Sequence, residues 1–165
     1  MKTFDVILHP TDFSNDSDQA FLMACGIARD QFAQMVVVHV LAPSHSPSGD
    51  ADADLLQEDR PAICNCREQF QRLRSLGGDI PMSFRIALGY AVGTILNIAQ
   101  QEGADLIVIA SHQYSQFHLR LHGSVAEGVL RQAHCPVLCL RQPNPQHAIP
   151  ATPTTEQAAT SDCGR

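Results

Sequence analysis

The chain has 165 residues, 44% hydrophobic and 17% charged, the size and composition of one globular domain able to bury a full core. A formal net charge of -6 excludes a general nucleic-acid binder, whose phosphate contacts need a basic surface. Lys2 is the single lysine beside ten arginines, which excludes a Gly-Lys-Ser/Thr phosphate loop and argues against lysine-based catalysis.

Met1 runs almost directly into an apolar strand, with none of the parts of a signal peptide, and no apolar run approaches the ~18 residues that span a membrane. A cytoplasmic protein without a membrane partner is expected, its six cysteines held as thiols. Phe4 to His9 reads as a buried strand ended by Pro10. A turn Pro10-Thr11-Asp12-Phe13-Ser14 follows, and Ser14 or Asn15 caps a helix over 16–32 with Ala20, Phe21, Ala24, Ile27 and Ala28 on one face. Met35 to Leu41, apolar except for His39, is a second strand; so continuous an apolar run calls for helices on both sides of a parallel sheet.

Pro43 to Ala53 is a loop by composition, and the stretch Asp50, Asp52, Asp54, Glu58 and Asp59 is acidic. A helix is expected from about Asp54 to Leu76, interrupted or kinked near Pro61 and stopped by Gly77-Gly78, with Ile63, Phe70, Leu73 and Leu76 inward. Cys64-Asn65-Cys66 lacks a second pair at metal spacing, so no metal site is assigned to it. Met82 to Leu88 alternates as a third strand, Phe84 and Ile86 opposing Ser83 and Arg85. A helix over 91–102 with Ile95, Ile98 and Ala99 inward ends at Gly103. Asp105 to Ala110 is a strand, Ser124 to Ala133 a helix and Pro136 to Leu140 the last strand. Residues 1–141 form one domain, and 142–165, rich in Pro, Thr, Ala and Gln, form a disordered tail.

This alternation predicts an α/β fold of the flavodoxin/Rossmann-like class, a five-stranded parallel sheet with four helices in three layers. In such sheets ligands bind beyond the carboxyl ends of the strands where the strand order reverses. If the first and fourth strands flank that point, the crevice lies between Pro10-Thr11-Asp12 and the loop from Ala110 to Gly123. That side also carries the basic bias: residues 112–141 hold three arginines and one acidic residue, Glu127.

Gly123-Ser124-Val125 opens a helix whose unpaired N–H groups can take an anion, or in which Ser124 is simply the N-cap of a capping box closed by Glu127. Asp12 can accept a hydrogen bond from an adenine amino group or a ribose hydroxyl, or serve the turn alone. His112, His118, His122 and His134 cluster in sequence without neighbouring carboxylates and are assigned no metal; no Gly-x-Ser-x-Gly elbow supports a Ser-His-Asp triad, and no catalytic residue is assigned.

The opening VILHPTDFSNDSDQAF, the second strand ending in His39-Val40, the segment GADLIVIASH and above all HGSVAEGVLRQAHCPVLCLR resemble the universal stress protein (UspA-like) family over about Met1 to Arg141. The resemblance implies strand order 3-2-1-4-5 and a homodimer paired through the fifth strand, here Val137, Leu138, Cys139, Leu140 and Arg141. In nucleotide-binding members ATP lies in the crevice, on a pattern Gly-x2-Gly-x9-Gly-Ser/Thr. Aligned here, the first glycine is Ala110 and the second Gln113, while Gly123-Ser124 match. By the same alignment Asp12 meets the base, Val40 lies beside the adenosine, and the backbone of Ala110, Ser111, His112 and Gln113 runs near the phosphates. Gln113 stands where glycine permits positive φ or close phosphate approach, and relatives lacking the glycines often do not bind ATP tightly.

The reading is therefore a stress-response binding protein with a degenerate site for ATP, AMP or another adenine nucleotide, with Mg only as a companion of that nucleotide. Its alternatives are a slow ATP hydrolase in the same cleft, which lacks a general base and a carboxylate pair for metal, and a nucleotide-independent interaction module.

Overall fold

A computed structural model describes residues 3–42, 60–111 and 125–141. The elements in chain order are β1 (Val6–Pro10), α1 (Asn15–Gln31), β2 (Gln34–Leu41), α2 (Arg60–Gly77), β3 (Met82–Leu88), α3 (Ala91–Gln101), β4 (Leu106–Ser111), α4 (Val125–Gln132) and β5 (Val137–Arg141). All strand pairs are parallel and the order is β3-β2-β1-β4-β5, as the family resemblance implied. Ile7, Val37 and Val108 point to one face, packed under α1 and α2 with Phe21, Ala24, Cys66, Phe70 and Leu73. Leu8, Val36, Val38 and Ile107 point to the other, under α3 and α4 with Ile95, Ile98, Ala126 and Val129. Strands covered on both faces must be apolar throughout, which is why the VILH and MVVV runs carry no alternation.

Local chemistry sets the element ends. Ser14 caps α1, its Oγ accepting the Ser17 N–H at 3.2 Å. At the other end Phe32 takes the left-handed conformation at φ 52° and sends its N–H back to the last turn. The segment expected to begin α2 at Asp54 lies outside the described residues up to 59; within them the helix runs from Arg60 to Gly77. Helical phase also corrects the expected inner face of α2. Cys66, Phe70, Leu73 and Gly77 are buried, whereas Leu76 is exposed and Ile63 only half-buried. Gly77 is more than a stop, because a Cβ there would meet the Met82 side chain. In α1, Ile27 is likewise half-buried.

β3 and β5 are the sheet edges. The Ile107 N–H donates to Pro136 O, so along β5 the backbone groups of 136, 138 and 140 face β4 and those of 137, 139 and 141 face outward. Among the described residues no helix is long and apolar enough to cross a membrane.

Candidate functional site

The crevice is built from the turn that leaves β1. Pro10 belongs to that strand, paired with Val38, instead of ending it as expected. Thr11 donates its N–H to Val38 O and accepts at its own carbonyl from His39 Nδ1, which ties the turn to β2 at 2.7 Å. Its hydroxyl accepts the Phe13 N–H at 3.0 Å, and Asp12 Oδ1 accepts the Ser14 N–H at 3.0 Å, so side chains at 11 and 12 shape the turn into the α1 cap. Phe13 is held at φ 61°, a conformation uncommon for a residue with a Cβ. Its ring lies 4.6 Å from that of His39 and 5.4 Å from that of Phe70, and those contacts hold it there.

Sequence reasoning missed His9. The ring is fully buried beneath the turn, with Nδ1 2.9 Å from Val108 O and Nε2 3.4 Å from Ser17 Oγ. A carbonyl only accepts, so Nδ1 carries the proton in the neutral ring. The Ser17 hydroxyl in turn donates to Thr11 Oγ1 at 2.9 Å. Burial lowers the imidazole to about 4, opposed by the Val108 bond and by the Asp12 and Asp18 carboxylates. Among the described residues no buried side-chain nitrogen or oxygen lacks a partner, so this network is complete. The available signal was the polar pair His-Pro closing an otherwise apolar strand.

β1 and β4 are adjacent in register only at Ile7 with Leu106 and Leu8 with Ile107. The registered pairing ends there, and the turn Pro10-Thr11-Asp12 and the end of β4 lie at the carboxyl ends of these neighbouring strands, where the sheet order reverses. On the β4 side Ala110 is buried and Ser111 half-buried; Ser111 is the last residue of the strand. Val40, late in β2, is half-buried on the α3 face. Val125 begins α4 and is exposed. His112, Gln113, Gly123 and Ser124, and with them His118 and His122, lie outside the described residues. Cys64 and Cys66, two apart on α2, fall on opposite sides of the helix, one exposed and one buried, so they share no face. On the strand expected to pair copies, Leu138 and Arg141 are exposed and Val137, Cys139 and Leu140 half-buried.

Comparison with known proteins places these features. The model of the universal stress protein family matches residues 3–141. Universal stress protein MJ0531 of Methanocaldococcus jannaschii is 28% identical over 145 residues, 83% of this chain and 82% of its own. A putative universal stress protein of Staphylococcus haemolyticus is 25% identical, covering 86% of this chain and 87% of that one. Among solved structures, UspA from Lactobacillus plantarum superposes with a TM-score of 0.71 at 23% identity over 83% of this chain and 97% of that one. A universal stress protein in complex with cAMP gives 0.65 at 26% identity over 84% and 97%. The match of the family model across both core faces, the β1 turn and β4 shows that the chain belongs to the universal stress protein family.

Proposed function

We propose that this chain is a binding protein that takes an adenine nucleotide in the crevice between β1 and β4. The observation that carries the reading is the strand order, which sets β1 beside β4 at the reversal of the sheet, so that the Asp12 turn and the end of β4 stand at the carboxyl ends of neighbouring strands. Asp12 is the acceptor for the adenine amino group or a ribose hydroxyl, and Val40 packs beside the adenosine. The phosphates lie toward Ala110, Ser111, His112 and Gln113 and toward Gly123-Ser124-Val125, the last of which begins α4, since N–H groups at a helix start favour an anion. Support comes from the family relative solved in complex with cAMP. Gln113 in place of glycine disfavours a long phosphate chain, so a nucleotide with one phosphate suits the site better than ATP. Mg accompanies ATP only. Two copies pair through the outward edge of β5, whose Val137, Cys139 and Arg141 backbone groups face away from β4. The domain ends at Arg141.

Calorimetric titration with cAMP, AMP, ATP and Mg-ATP, on the natural chain and on Gln113→Gly, tests the reading. Binding of AMP or cAMP by the natural chain is expected, with Gln113→Gly gaining affinity for ATP. Absence of heat from every nucleotide in both forms would leave the interaction module as the better account.

A further inference from the structure

Pro10 sits in the interior of a five-stranded sheet, where proline is rarely tolerated because it has no N–H for the ladder. The direction in which that N–H is missing is fixed by its neighbours. Thr11 N–H bonds to Val38 on β2, and Val6 O bonds to Asp105 N–H beside β4. Backbone groups alternate sides along a strand, so residues 6, 8 and 10 face β4 and residues 7, 9 and 11 face β2. Pro10 therefore lacks its donor on the β4 side, where the Val108 carbonyl waits. That carbonyl is bonded by the His9 Nδ1–H instead, at 2.9 Å, from a ring with no exposed surface.

We infer that His9 is the positioning residue of the crevice: its imidazole takes over from the backbone ladder where the registered pairing of β1 and β4 ends, and through Ser17 and Thr11 it fixes the turn that presents Asp12. A ring that merely filled core volume would need neither contact. Here one nitrogen sets the distance between the two strands that border the opening. The other reaches the Ser17 hydroxyl, which meets Thr11 Oγ1, the acceptor of the Phe13 N–H. Asp12 lies between Thr11 and Phe13, so its direction depends on this chain of contacts. The consequence for binding rests on the nucleotide reading of the crevice; the consequence for the turn does not.

The test separates the two. AMP affinity by calorimetry and amide hydrogen exchange at Phe13 are measured for the natural chain, His9→Leu, His9→Asn and Ser17→Ala. The Asn amide nitrogen can donate to Val108 much as Nδ1 does, whereas Leu leaves the carbonyl unpaired. In His9→Leu, exchange at Phe13 is expected to accelerate and AMP affinity to fall, each by about tenfold, while amides of β2 and β3 keep their protection. His9→Asn is expected to recover both to within about threefold of the natural chain. Ser17→Ala leaves the Val108 bond intact, cuts the link to Thr11, and is expected to accelerate Phe13 exchange alone among the turn and sheet amides; it decides the matter if His9→Leu does not fold. Natural exchange at Phe13 in both His9→Leu and Ser17→Ala overturns the inference, as does a His9→Asn no better than His9→Leu in a folded state. Should the natural chain bind no AMP, the nucleotide reading fails, and exchange at Phe13 still decides whether His9 holds the turn.

Discussion

The His9 imidazole and the Val108 carbonyl, 99 residues apart in sequence, are joined by a buried 2.9 Å hydrogen bond in which Nδ1–H donates to the carbonyl oxygen. At the other end of the same strand pair, Asp105 Oδ2 accepts the Asp5 and Val6 N–H groups at 2.8 and 3.0 Å. The contact between β1 and β4 is thus short in backbone terms and fastened by side chains at both ends.

Acid should loosen it. Burial holds the folded His9 at about 4, below the ordinary 6.5, so between those values the unfolded chain binds more protons and stability rises with pH. The stabilisation is complete above about pH 6.5 and is lost as pH falls toward 4, by roughly 3 kcal/mol in all. Urea unfolding between pH 4 and 8, compared with His9→Asn, isolates this slope from that of the carboxylates. Equal slopes in the two proteins would sink the assignment.

The two non-glycine residues at positive φ should respond oppositely to glycine. Phe32 is 88% exposed at φ 52°, so Phe32→Gly removes backbone strain and little packing, and is expected to stabilise by ~1 kcal/mol. Phe13 at φ 61° packs on His39 and Phe70, and Phe13→Gly is expected to destabilise by about 2 kcal/mol net of the strain it relieves. Paired denaturant curves check both signs.

Where α3 meets α4, a Cβ at Gly128 would lie 2.7 Å from Val92 Cγ2. Valine is stiff at χ1, so Gly128→Ala is expected to cost ~1–2 kcal/mol despite alanine's better helix propensity. With Val92→Ala present, the same change becomes neutral or stabilising. A double-mutant cycle measures the coupling, and additive effects would show that the helices yield instead.

Pairing of copies through β5 has its own test. Cys139 N–H faces away from β4, so Cys139→Pro removes an outward donor while leaving the β4 ladder its bonds. Light scattering is expected to show a dimer for the natural chain and a monomer for the variant, with unchanged circular dichroism. A natural chain that is monomeric at working concentrations excludes this mode of pairing.

Much of the fold was legible because the strands are buried on both faces and therefore apolar without interruption, and because Ile95, Ile98 and Ala99 keep strict helical phase. The third strand's boundaries, Met82 to Leu88, followed from its alternation, which an edge position preserves. Phase failed on α2, where Leu76 looked apolar enough to face inward but lies one position from Gly77, which the core claims for Met82. Asp12 was legible as a carboxylate at the end of the first strand, yet the placement of β1 beside β4 came from family resemblance, since periodicity does not order strands. His9 escaped because a single histidine ending an apolar run carries no periodic signal, and its partner Ser17 becomes a neighbour only once α1 folds back over β1.

Proline at position 10 bears on synthesis as much as on the finished sheet. β1 emerges about a hundred residues before the strand that will lie against it, and in that interval its flank is open to any extended chain nearby. A foreign strand zipping along that flank would find no donor at Pro10, so the register breaks after Leu8 for a stranger, whereas the chain's own β4 finds His9 waiting to close the gap.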